Sequence, residues 1–192
     1  MDKILQKKQE EICKDILKML ENENVKVEID ENSKNSLYVF LNNTMYISNK
    51  TNTRKSIAEQ NKAKILVIAH ECAHSIQSKV LQIINFVLAN IEMILFVIVL
   101  ALSIFFKKYN MLVNSYMTIS IFSMAIRWYL EMNATINSVK ITSKYMLQNN
   151  VPKDDIKELI KYYKKELLKE LPLFLILLFV FKVIRLVVVL VI

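Results

Sequence analysis

The sequence predicts an α+β, mainly α-helical integral membrane protein in which a small β-sheet is joined to about three transmembrane helices. Two observations predict it. The first is a chain that is 54% hydrophobic and yet 23% charged over 192 residues, a mixture that suits no single core. The charges segregate: most lie in residues 1–80 and 131–170, whereas 87–106, 111–130 and 172–192 carry few. Each of those apolar blocks is about 20 residues long, the length of a helix that crosses a bilayer core. The second is a run of short β-rich stretches before residue 50, followed by helical patterning to the end. The expected segments are a polar N-terminal part (1–80), a transmembrane hairpin (81–130), a polar helical segment (131–171) and a C-terminal transmembrane helix (172–192).

The elements follow in order. Ile4, Leu5, Ile12, Ile16 and Leu20 recur at helical spacing among Lys and Glu, which predicts an amphipathic helix over 3–20. VKVEID (25–30) alternates apolar and polar residues. LYVFL (37–41) and TMYIS (44–48) flank Asn42-Asn43, and Asn tolerates the left-handed conformation of tight hairpins. A small antiparallel sheet is expected. From Ser56 the pattern turns helical and meets no Gly or Pro before the first span, roughly 84–106, so one continuous helix is expected there. Lys107, Lys108, Tyr109 and Asn110 suggest a short turn. The second span, 111–130, ends in Arg127, Trp128 and Tyr129, a composition typical of a membrane interface. A polar helix then continues to 148, where Asn149, Asn150 and Pro152 break it. Asp154 and Asp155 fall in the first turn of the next helix, at the positive end of its dipole. Pro172 marks the start of the last span.

Composition excludes several functions. The chain has no glycine, which removes phosphate loops, dinucleotide fingerprints and the hydrolase nucleophile elbow. The first residues are charged with no apolar core behind them, so no cleavable signal peptide is expected. Cys13 and Cys72 stand in unrelated contexts and suit a reducing compartment. The net charge is +8. Its lysines are interleaved with Glu and Asp and accompany no nucleic-acid motif, so they are read as flanks of membrane segments facing anionic lipid, not as a nucleic-acid surface.

His70-Glu71-Cys72-Ala73-His74 carries the chemistry. Residues four apart share a helix face, so both imidazoles can reach one zinc ion, as in a zincin-like helix. Glu71 projects beside that face, where it can accept a proton from the attacking water. The chain has two histidines and both are here. At this composition the arrangement arises by chance about once in a thousand such chains, against the bland alternative of two surface histidines and a solvated Glu.

A hydrolytic zinc takes three protein ligands, and no third His exists. The carboxylates downstream are Glu92, Glu131 and the acidic residues of 154–170. Glu92 lies 18 residues past His74, about 27 Å along a continuous helix and too far to chelate. A transmembrane hairpin would return Glu131 to the depth of the motif. The competing role for Glu131 is an interfacial charge paired with Arg127. Cys72 points to another helix face than the histidines and reads as a small buried apolar residue. Glu92 is expected to meet Lys182 or Arg185, because charges within a membrane pair.

The order of β-rich segment, HECAHSIQ, hairpin, EMNAT, polar helix and final span resembles the bacterial membrane-bound neutral zinc metallopeptidases of the YugP type, over roughly residues 44–192. Ser75-Ile76-Gln77 and Glu131, Asn133, Ala134 and Thr135 carry the likeness beyond the zinc motif. The resemblance implies a gluzincin-like site with Glu131 as third ligand. This chain has Ala73 where the family usually has Gly, and Asn133 where it has Asp beside a metal-bound His. The family usually begins with a further transmembrane segment, which does not stand out here.

The expected function is zinc-dependent endopeptidase activity on a protein or peptide substrate within a lipid bilayer. Glu71 would be the base, and Asn133, Tyr129 or Tyr145 the oxyanion donor. The 37–48 hairpin would offer an edge strand to an extended substrate. The alternatives are a catalytically silent zinc-binding protein and a small membrane protein with a chance motif. Lysines and arginines cluster on the site side of the spans, against Lys107 and Lys108 opposite, which places the zinc site on the cytoplasmic face of a multi-pass bacterial membrane protein.

Overall fold

The computed structural model describes residues 8–33, 35–48, 57–105 and 110–191. The elements run α1 (Gln9–Met19), β1 (Lys26–Asp30), β2 (Leu37–Val39), β3 (Thr44–Ser48), α2 (Ile57–Ser75), α3 (Lys79–Phe105), α4 (Asn110–Gln148) and α5 (Lys153–Val191). The molecule is therefore mainly helical with one small sheet. Two compact units divide it: unit 1 is Met1–Gln77 with Met132–Glu166, and unit 2 is Ser78–Glu131 with Leu167–Ile192. The expected Ile4 and Leu5 of the first helix, the helix start at Ser56 and the turn at Lys107–Tyr109 lie outside the described residues.

In unit 1, α1 buries Ile12, Cys13, Ile16 and Leu17, the face that its three- and four-residue spacing lays out. Glu10 and Glu11 in its first turn and Lys18 in its last complement the helix dipole. The helix ends where Glu21 takes φ 55°, and the Asn22 N–H bonds back to the Leu17 carbonyl at 3.0 Å.

The sheet has the order β1-β3-β2. β2 and β3 form the expected antiparallel hairpin, and Asn43 adopts φ 52° in its turn. β1 instead pairs parallel to β3, Val27 opposite Met45, which corrects the expectation of an antiparallel sheet. Alternation within each strand predicts the faces but is blind to strand direction. Burial supplies the reason for the order. Thr44, Met45, Ile47 and Ser48 of β3 are all buried, whereas β1 is mostly exposed. The strand with most to lose in water takes the centre, and the two others flank it.

Met45 and Ile47 join Ile65, Leu66, Ile68, Ala69, Cys72 and Ala73 of α2, Ala134, Ile141 and Tyr145 of α4, and Ile156 and Leu159 of α5 in one core. Each large side chain fully buried there contributes about 1.5–3 kcal/mol. Cys13 and Cys72 are not in unrelated contexts, as expected, but meet as free thiols with their sulfurs 3.9 Å apart.

α2 does not run on into the next helix. It ends at Ser75, with turns at Ile76 and Gln77 before α3 starts at Lys79. No Gly or Pro marks this break. A side chain distant in sequence does: Asn22 Nδ2 donates to the Ser75 carbonyl at 3.2 Å and to Ser75 Oγ at 2.9 Å, and Ser75 Oγ donates to the Cys72 carbonyl at 2.7 Å. These bonds satisfy the helix end that a continuing turn would otherwise satisfy.

Unit 2 is built differently. Lys79–Leu102 is the one helix among the described residues long and apolar enough to cross a membrane, with mean hydropathy 2.5 and 11% of it buried. Residues 111–130 and 172–191 lie within α4 and α5, and the backbone of α5 continues through Pro172. That proline removes one helix hydrogen bond, between helix-favouring neighbours. Large apolar side chains stand exposed on all three helices, among them Ile94, Phe122 (58% exposed) and Phe181 (62%).

Glu92 is buried. Of its two expected partners, Lys182 takes it, with Nζ 2.7 Å from both carboxylate oxygens. Ser120 Oγ donates to Glu92 Oε1 at 3.0 Å and accepts from Lys182 Nζ at 3.1 Å. The Arg185 guanidinium instead lies 5.4 Å from the centre of the Phe96 ring, a cation–π distance.

Candidate metal centre

The outer turns of α2 carry the site. Ile65, Leu66, Ile68, Ala69, Cys72 and Ala73 commit one face to the core, which leaves His70, Glu71 and His74 at its half-buried margin. The two rings meet edge to face with centroids 4.8 Å apart, and their Nε2 atoms are 3.2 Å apart. Two nitrogens held ~2.0–2.1 Å from one zinc at a tetrahedral angle stand about 3.3 Å apart. The observed spacing matches that bite.

Glu131 of α4 completes the set. His70, His74 and Glu131 each offer one ligand atom, all within 4.8 Å of one another. Two imidazoles and a carboxylate are a donor set that zinc accepts, so these residues fit a metal ion.

The ligands are oriented from outside. His74 Nδ1 lies 2.9 Å from Gln77 Oε1. Gln77 Nε2 donates to Asn133 Oδ1 at 3.1 Å, which also accepts from Asn137 Nδ2 at 3.1 Å. Thr135 Oγ1 stands 3.5 Å from His70 Nδ1, at the outer limit of hydrogen bonding. In both histidines Nδ1 is engaged on the protein side and Nε2 faces the other ring.

Glu71 is held by the sheet. Its Oε2 accepts the Tyr38 backbone N–H at 2.8 Å, from the edge strand β2. The Tyr38 hydroxyl donates to Asn43 Oδ1 at 2.8 Å, and burial raises its phenol pKa. Cys72, between the two histidines, is fully buried. Its hydrogen bond with Cys13, then burial, pushes its thiol well above the usual range, as suits a residue of the core and not a ligand.

Of the three oxyanion donors considered, Asn133 is the one whose contacts lie at the site. Tyr129 is 57% exposed. Tyr145 lies 14 residues beyond Glu131 on α4, about 21 Å along the axis. It is buried with its hydroxyl directed to Asp15 at 3.4 Å, which removes it from the site. Sequence reasoning did not single out Thr135 as a partner of His70, although its position four residues after Glu131 puts both on one helix face. The Tyr38 N–H is a backbone group and left no sequence signal.

Comparison with family models, curated proteins and solved structures finds no match for this chain.

Proposed function

We propose that the chain is a zinc-dependent endopeptidase embedded in a membrane, with His70, His74 and Glu131 as ligands and Glu71 as general base. The convergence of those three ligand atoms within 4.8 Å, beside a glutamate fixed by a backbone N–H, carries the reading. The likeness to membrane-bound neutral zinc metallopeptidases supports it.

Zinc, when bound, would polarise the scissile carbonyl and acidify water. The rest falls to the chain. Glu71 takes the proton of the attacking water and passes it to the leaving amine. The Tyr38 N–H aims the carboxylate and ties it to β2. An extended peptide laid along the outer edge of that strand would bring its carbonyls beside Glu71. The lining of α3 and the exposed apolar surface of unit 2 support a multi-pass membrane location, with residues 111–130 and 172–192 as further spans. The lysine distribution supports a cytoplasmic site.

Zinc per chain in detergent-purified protein tests the site. Wild type is expected to hold about one zinc, and His74→Ala and Glu131→Gln to lose most of it. Wild type without zinc after reconstitution would overturn the reading. Glu71→Gln spares the ligands, so it should keep zinc while losing on the order of 10²–10⁴-fold in peptide cleavage. Equal cleavage by both proteins would remove Glu71 as base. A catalytically silent zinc protein is the second reading, favoured by Ala73 and Asn133, which depart from the zinc-peptidase pattern. It predicts zinc in both proteins and cleavage in neither.

A further inference from the structure

We propose that Gln77 is a positioning residue for His74, and that Asn133 holds it in that role through a chain of neutral amides. The inference rests on the zinc reading and extends it to residues that touch no metal.

Gln77 follows His74 by three residues, just past the end of α2, and its side chain places Oε1 2.9 Å from His74 Nδ1. Direction then follows along the chain. Asn133 Oδ1 takes N–H groups from both Asn137 and Gln77, at 3.1 Å each. As bonded, the Asn133 oxygen faces both donors. Asn133 therefore fixes the Gln77 amide, whose Nε2 is committed as a donor. The atom turned to His74 is an acceptor, so His74 carries its proton on Nδ1.

Its Nε2 lone pair then faces His70 Nε2, where the ligand atoms converge. An acceptor on the remote nitrogen fixes the tautomer and the ring plane of a metal-binding histidine. A carboxylate usually fills that place; here an amide does, and a second amide orients it. Asn133 stands two residues after Glu131, so a single turn of α4 supplies both the third ligand and the anchor for a ligand on α2.

The test uses full-length protein in detergent, with zinc affinity read by chelator competition and melting of the metal-free protein as a control for folding. Gln77→Leu is expected to weaken zinc by about 10–100-fold. Asn133→Leu should weaken it less, and Gln77→Leu/Asn133→Leu no more than Gln77→Leu alone, because the two act in series. Asn133→Asp should keep wild-type affinity, since a carboxylate oxygen accepts the same two N–H groups. Gln77→Leu within twofold of wild type would overturn the proposal. Single effects that multiply in the double variant would overturn the role of Asn133.

A second readout needs no metal. The ¹⁵N shifts of His74 in zinc-free protein should report the Nδ1–H form in wild type and a mixture of tautomers in Gln77→Leu. The Nδ1–H form in a wild type that binds no zinc would sink the zinc reading and leave the amide chain standing. Mixed tautomers in wild type would sink the amide chain whatever the zinc result.

Discussion

In unit 2, Glu92 and Lys182 meet at 2.7 Å, with Ser120 bonded to both. At the metal centre, His70 and His74 of α2 and Glu131 of α4 bring three electron-pair donors within 4.8 Å of one another. The first group is balanced by its own chain: one positive charge, one negative charge and a hydroxyl that serves each. The second offers electron pairs that a cation can take up, so its stability is linked to an ion in solution. Burying an ion pair gains little over apolar residues of the same size, yet removing one partner leaves an uncompensated charge. The two sites should therefore respond to opposite perturbations.

The largest effect is expected in unit 2. Glu92→Leu should destabilise detergent-purified protein by about 3–5 kcal/mol, whereas Glu92→Leu/Lys182→Leu should recover most of that loss. Chemical unfolding of both variants checks it. A double variant less stable than the single would mean that the pair does not close on itself. Zinc provides the converse. At about 100 times its dissociation constant it should stabilise wild type by ~2.7 kcal/mol. A Glu92→Leu/Lys182→Leu protein should show the same zinc-dependent shift in melting. A loss of that shift would break the separation between the two sites.

The core beneath the metal centre comes next. Ala134 is fully buried among core residues, three residues after Glu131. Ala134→Leu should destabilise by about 1–3 kcal/mol through overpacking, and zinc affinity should fall with it, because the turn carrying Glu131 must shift. Melting with and without chelator would show both.

The smallest effect is at Tyr145. Burial first, then the Asp15 charge, raises its pKa well above 10. The unfolded phenol ionises near 10 and the folded one does not. Its contribution is thus complete below pH 10 and declines as pH rises above that value. Tyr145→Phe should cost about 0.5–1.5 kcal/mol at neutral pH and flatten the alkaline loss of stability. An unchanged alkaline slope would assign that loss to other groups.

Much of this was legible before any coordinates. His70 and His74 sit one turn apart, with Glu71 beside them, because helical periodicity is local. Asn43 turns the hairpin and Asn150 takes φ 58° after α4, because left-handed backbone selects for Asn in a chain without glycine. The apolar stretches announce themselves by length. Glu131 could be reached among several carboxylates through a hairpin argument, and the Glu92–Lys182 pair through the rule that buried charges find partners.

What the tertiary structure alone decided are contacts between residues distant along the chain. The parallel pairing of β1 with β3 depends on which strand the core buries. The end of α2 depends on Asn22, 53 residues upstream of Ser75. The meeting of Cys13 with Cys72 and the removal of Tyr145 toward Asp15 depend on how α1 and α4 pack. The amide chain to His74 likewise joins Gln77 and Asn133, 56 residues apart. Periodicity and propensity act over a few residues and write themselves into the sequence. Long-range contacts are chosen by the burial of a whole core, and no single stretch of sequence carries that choice.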